Sequence, residues 1–297
     1  MARAPALDLH GFIDQRNGRR AGGKEGEGVA YAYASDKATR ATFAAMKPVE
    51  LAVAAAVRMF QTVGKNELLG HAVKVGPQQF PKIHGVVQRC AETLGIPVPV
   101  LYIVNSPVVN AATFGTPEDS FIMVHSALID HMTDDELVSV IGHECGHIHN
   151  SHVVYLTAMH YLTRMAAQYA RWLAGPAMLA LSGWSRRAEV TCDRAGLLCC
   201  GSLEVSTRAL TKLALGSKKL YDELNIEAFL DQHREGGDGI GRFAEMNATH
   251  PWLPKRVLAL RAFADSALFR NHAGLGSSGD AMETVDEKVH EIIKVWG

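Results

Sequence analysis

Apolar residues recur with a helical period at both ends of the chain and change to a strand-like run in the middle. The spacing predicts a helix over residues 38–63, where Ala, Val, Leu and Met share one face and Pro48 sets a start or a kink. A second helix is predicted over 80–94, closed by Gly95, Pro97 and Pro99. At 98–104 (VPVLYIV) and 120–124 (SFIMV) the pattern becomes β-branched and apolar, with Gly115, Pro117 and Asp119 as turn formers between two strands. Thr133-Asp134-Asp135-Glu136 is a capping box, with acids at the positive end of the dipole, and opens a helix running to about His152. An apolar helical hairpin follows at 153–184, then helices over 185–200, 203–220 and 254–269, with a loop at 231–241. After a linker at 274–279, residues 280–296 form an amphipathic helix with Val285, Val289, Ile292, Ile293 and Trp296 on one side. The fold class is α+β and mainly helical.

Composition narrows this picture. At 297 residues, 47% hydrophobic and 21% charged, the chain can bury a core and is not a disordered class. The expected division is a flexible segment at 1–37, containing the glycine- and charge-rich GRRAGGKEGEG, a domain at 38–270, and a linker with terminal helix at 271–297. Thirty basic against thirty-one acidic side chains leave a net charge of −1, so no global field draws in nucleic acid, and none is expected as a partner. Five cysteines are an odd number and too sparse for a disulfide framework, and the N-terminal MARAPALDLH is not a signal peptide, so a reducing, cytoplasmic location is expected. In 153–184, Arg164 and Arg171 interrupt the apolar run, and the clean piece at 172–185 has 14 residues and contains Gly175-Pro176. A spanning helix needs about 20. A buried hairpin is favoured over one that touches a bilayer surface, which makes the protein soluble or peripheral.

The candidate chemistry lies in His143-Glu144-Cys145-Gly146-His147, within the helix that Thr133 caps. Residues i and i+4 share a face, so both imidazoles reach one metal while Glu144 reaches a water there from the side; zinc, one per chain, fits these donors. With 14 histidines in the chain the five-residue pattern arises by chance in about 4% of such compositions, so a second motif has to support it. Glu189-Val190-Thr191-Cys192-Asp193 does so. Glu189 supplies the third ligand of a catalytic zinc, and Asp193, one turn on, accepts the ring N–H of His143. At about 100° per residue, His149 and His152 point away from the ligand face; with His160 they read as packing or surface residues.

Taken with Asn110-Ala111-Ala112-Thr113-Phe114-Gly115, Asp135-Glu136-Leu137, Arg187-Ala188 and Thr249-His250-Pro251 with Arg256, these motifs resemble gluzincin metallopeptidases of the HtpX heat-shock protease and CAAX prenyl endopeptidase type, over about residues 66–263. The resemblance implies a zincin-like fold with a small sheet whose edge strand precedes the H-E-x-x-H helix. It implies a zinc endopeptidase acting on protein or peptide substrates in protein quality control, with His143, His147 and Glu189 on the metal and Glu144 as general base. Phe121, Ile122 and Met123 would lie on the edge to which an extended substrate adds. Asn110 and Ala111 would hold the substrate backbone, and His250 and Arg256 would contact substrate or oxyanion, or gate the site. Two features depart from the family: clear spanning helices are lacking, and Cys192 stands where Ala is common. The alternative is an inactive zinc-stabilised adaptor or chaperone module, in which Glu144 would have no use.

Overall fold

The strand Ser120–His125 is covered on both faces, which is why it reads as an unbroken apolar run. Ile122 and Val124 enter one apolar core, while Phe121 and Met123, one residue out of phase, enter another. The computed structural model describes residues 29–43, 53, 57, 66, 69–115, 119–168, 171–235 and 250–295. Its strands are β1 (Ala72–Lys74), β2 (Val100–Val104), β3 (Ala111–Gly115) and β4 (Ser120–His125), in a mixed four-stranded sheet of order β1-β2-β4-β3. β2 runs parallel to β4, with Leu101 opposite Ile122; β3 runs antiparallel to it, with Thr113 opposite the same Ile122.

This order corrects the expectation of an edge strand at 121–124. β4 is internal, and Phe121, Ile122 and Met123 are all buried. The edge beside β4 belongs to β3, whose other side pairs with no strand among the described residues, and the opposite edge is β1. β3 was not predicted as a strand because Ala and Gly carry little strand signal. Gly115 takes φ 135, and a Cβ there would lie 2.1 Å from the Asp119 carbonyl oxygen, so only glycine lets the chain reverse onto β4.

The helices are α1 (Ala34–Phe43), α2 (Pro81–Leu94), α3 (Ser126–His131), α4 (Asp134–His149), α5 (Val153–Gln168), α6 (Arg171–Cys200), α7 (Leu203–Leu215), α8 (Lys218–Tyr221), α9 (Ile226–Glu235), α10 (Leu253–Ala264), α11 (Ala267–His272) and α12 (Met282–Ile293). The second arm of the apolar hairpin continues unbroken into the helix expected from 185, giving α6 30 residues. No helix of the described residues is long and apolar enough to cross a membrane. The helix predicted at 203–220 breaks at Gly216, which takes φ 58, and the one at 254–269 breaks at Asp265, after which Ser266 caps α11 by accepting from the Phe269 N–H at 3.0 Å. Residues 231–235, expected in a loop, finish α9, and 236–241 lie outside the described residues, as do most of 44–63, the segment 18–28 and Trp296. Val285 and Val289 of α12 are buried in the same core as Ile122. Within the stretch expected to be flexible, Tyr31, Tyr33 and Asp36 are buried.

Helices α4 and α6 cross almost backbone to backbone. A Cβ on Gly196 would meet the Ser139 carbonyl oxygen at 2.5 Å, one on Gly142 would meet Cys199 Cβ at 2.7 Å, and one on Gly146 would meet Ala195 Cβ at 2.7 Å. Glycine on both helices therefore brings Glu189 and Asp193 of α6 against His143 and His147 of α4. Cys192 packs over Gly146, where an added Cβ would lie 3.1 Å from Cys192 Cα.

Candidate active site

The capping box fixes where α4 begins: Thr133 N–H donates to Glu136 Oε2 at 2.7 Å and Glu136 N–H to Thr133 Oγ1 at 3.4 Å. Glu136 also receives Arg208 at 2.8 Å and Lys212 at 2.7 Å, and burial of its carboxyl is outweighed by Lys212 and the Thr133 hydrogen bonds, which hold it below the usual range. From this anchored start the third and fourth turns carry His143, Glu144 and His147 into a cleft between α4, α6 and β3.

His143 Nε2 and His147 Nε2 lie 3.2 Å apart, and the Glu189 carboxylate stands 3.6 Å from the first and 3.5 Å from the second. Ligands at about 2.0–2.1 Å from a tetrahedral zinc are separated by about 3.3 Å, so the two nitrogens and the carboxylate, which meets each of them through a different oxygen, are spaced to fit that metal. Around the triad, His143 Nδ1 is 2.9 Å from Asp193 Oδ1, which assigns the ring proton to Nδ1 and leaves Nε2 as the ligand atom.

Arg256 Nε and Nη2 donate to Asp193 at 2.8 and 2.6 Å, and Nη1 pairs with Glu189 at 3.0 Å. Burial would raise both carboxyl pKa values, but their neighbours outweigh it: His250 and Arg256 hold Glu189 well below its ordinary range, and Arg256 lowers Asp193. Both carboxylates are thus ionised, as a metal ligand and its neighbour require.

Glu144 is buried beside the triad, and Thr113 Oγ1 donates to its Oε2 at 2.6 Å. One carboxylate oxygen is held from the edge strand and the other is left for a proton. The sequence reading missed Thr113, although strand alternation two residues after Ala111 points to it. A cavity of about 610 Å³ opens on the triad, walled by Asn110, Ala111 and Thr113 on one side and by apolar residues such as Leu156, Met159 and Leu213 on others. His250 lines it with its side chain 59% exposed and Nδ1 3.1 Å from Glu189 Oε2. Phe121, Ile122 and Met123 do not line it.

His152 is not a surface residue. α4 stops at His149 and Ser151 takes φ 59, so the helical phase used to place His152 does not apply; it is buried with Nδ1 3.2 Å from His147 Nδ1. His149 Nδ1 lies 3.0 Å from the Tyr31 hydroxyl, and the His160 ring stacks edge-on against Phe114.

Peptidase family M48 matches residues 77–264, more than half of the chain and all of the triad. The chain belongs to this family of metallopeptidases, which are hydrolases. It is 40% identical over 172 residues to the plastoglobule-localized metallopeptidase 48 of Arabidopsis thaliana, covering 57% of this chain and 50% of that one. It is also 29% identical to the protease HtpX homolog 1 of Streptomyces coelicolor, over 61% of this chain and 70% of the relative, and 26% identical to the protease HtpX homolog of Moorella thermoacetica, over 64% and 74%. The chain therefore spans about half the length of the plant relative. No solved structure matches it.

Proposed function

We propose that the protein is a zinc-dependent metalloendopeptidase that hydrolyses peptide bonds in protein or peptide substrates, serving protein quality control as the resemblance to HtpX-type proteases suggests. The observation that carries this reading is the conjunction of the two-histidine, one-glutamate triad with a separate buried carboxylate, Glu144, facing the same cavity. A structural zinc site completes its ligands with Cys or His and has no use for such a base.

Zinc held by His143, His147 and Glu189 would supply Lewis acidity, polarising the scissile carbonyl and lowering the pKa of water. Glu144 takes the proton of the attacking water on the carboxylate oxygen that Thr113 does not hold, then gives it to the leaving amine. Asn110 and Ala111, at the start of the edge strand, bind the substrate backbone by strand addition, a role that passes from β4 to β3. Arg256 has its guanidinium committed to Asp193 and Glu189, so it braces the metal ligands. His250, with Nδ1 on Glu189, would donate from Nε2 to the oxyanion as the imidazolium, whose two ring N–H groups serve the two acceptors.

The location that accompanies this reading is cytoplasmic, with 153–184 as a buried hairpin, supported by the burial of Val154, Tyr155, Ala158, Leu162, Leu181 and Trp184, and peripheral membrane contact as the alternative. Fractionation with salt and with detergent tests it. Zinc analysis of the purified chain, with casein cleavage before and after chelation and zinc return, tests the activity. Metal-free protein that cleaves at the same rate would refute the reading.

A further inference from the structure

Behind the triad lies a second buried group of donor atoms, in which His147 is joined by His152 and Cys192, two residues that hydrolysis does not use. The chain doubles back after α4, with His152 N–H donating to the His147 carbonyl at 2.9 Å. The two Nδ1 atoms then stand 3.2 Å apart, and His152 Nε2 stands 3.0 Å from Asp36 Oδ2. Asp36 lies on α1 and is 2% exposed. It also accepts from Trp184 Nε1–H at 2.8 Å and from Thr191 Oγ1–H at 2.7 Å. The same N-terminal stretch clamps the reversal, since Asn150 Nδ2 donates to the Tyr31 hydroxyl at 3.0 Å and Arg40 donates to the Asn150 carbonyl.

The proton positions along this row follow from what each neighbour can accept. A carboxylate accepts only, so His152 carries its proton on Nε2 and offers a lone pair at Nδ1. His147 must then carry its proton on Nδ1, which frees Nε2, the atom facing His143 and Glu189. Cys192 Sγ, 3.5 Å from the same His152 nitrogen, adds only a weak S–H donor.

We propose that Asp36 is a positioning residue of the metal centre, acting through His152 to fix the ligand tautomer and orientation of His147. Helix α1, which precedes the family match at 77–264, is thereby part of the active site. The inference rests on reading His147 as a zinc ligand.

The test compares the full-length wild type, Asp36→Ala, the near-isosteric Asp36→Asn and Trp184→Phe. The Trp184 variant also removes a buried bond to Asp36, but to Oδ1, leaving Oδ2 on His152 Nε2 and keeping an aromatic ring against His152. Zinc affinity is read by chelator competition, and the His147 tautomer by imidazole ¹⁵N shifts of the zinc-free protein. Loss of the outer partner should weaken zinc by about 10- to 100-fold in Asp36→Ala, with the Nδ1–H form no longer dominant, and by about 10-fold in Asp36→Asn. Trp184→Phe should keep the wild-type affinity and tautomer even if it melts earlier. Should Asp36→Ala fail to fold, the Asp36→Asn and Trp184→Phe pair decides. Unchanged affinity and tautomer in both Asp36 variants, or an equal loss in Trp184→Phe, overturns the row as a device. A second zinc per chain, lost with Cys192→Ala, also overturns it by making His152 a ligand. A wild type that binds no zinc overturns instead the reading of the triad.

Discussion

Replacing Arg256 by Met separates a brace for the metal ligands from a group that serves the reaction. The substitution keeps an apolar stem but strips the cation from Asp193 and Glu189, which Arg256 contacts at 2.6–3.0 Å in a buried setting. Removing one partner of a buried pair costs about 3–5 kcal/mol, against a typical domain stability of about 5–15 kcal/mol. At about 2–4 °C per kcal/mol for a chain of this size, Tm of the zinc-free protein should fall by roughly 10 °C at pH 7. Zinc, itself a cation beside Glu189, should restore part of the loss.

The pH dependence follows from the direction of the shifts. Both carboxyls have folded pKa values below their ordinary ones, so in the wild type their contribution is complete above about pH 4 and is lost as pH falls through the depressed values. In the variant burial is no longer opposed by Arg256, both values rise, and the deficit is largest at neutral pH and shrinks toward about pH 4. Differential scanning calorimetry of zinc-free protein across this range measures it. A variant with the wild-type Tm but a kcat reduced by about 10²- to 10³-fold would assign Arg256 to the oxyanion and refute the brace.

Thr113→Val should lower kcat by about 10-fold, the value of a hydrogen bond to a charged group, with KM and zinc content unchanged, and Thr113→Ser should recover most of it; equal rates for Val and Ser would remove Thr113 from the site. His250→Ala should lower kcat by about 10²- to 10³-fold at full zinc occupancy, whereas a rise in basal activity would identify a resting-state cap. Gly196→Ala must push α4 from α6, costing about 1–3 kcal/mol in urea unfolding and weakening zinc in chelator competition; wild-type values in both would contradict the backbone contact at Ser139.

The candidate cluster of His143, His147 and Glu189 was legible because its motifs are local: the two histidines at i and i+4 on one helix, and the glutamate in a short acidic motif on a second. Asp193 was legible for the same reason, and the structure sets it 2.9 Å from His143. What was not legible depends on where the chain turns or on which strand lies outside. His152 was placed by extending the phase of α4 beyond His149, but Asn150 and the positive φ of Ser151 ended that phase. The edge of the sheet went to an alanine-rich segment with little strand propensity, so β4, with the stronger β pattern, was taken for the edge. Asp36 could not be connected to the site at all, since its contacts with Trp184, Thr191 and His152 all span more than 110 residues of sequence.

Pairing zinc analysis with peptide cleavage in wild type and Glu144→Gln tests the central claim most directly. The amide keeps the shape of the carboxylate but cannot take the proton of water. The wild type should hold one zinc per chain and cleave casein until chelated, and the Gln variant should hold the same zinc with turnover reduced to background. A Glu144→Gln variant that cleaves at the wild-type rate, or a wild type that folds and cleaves without metal, would contradict the account.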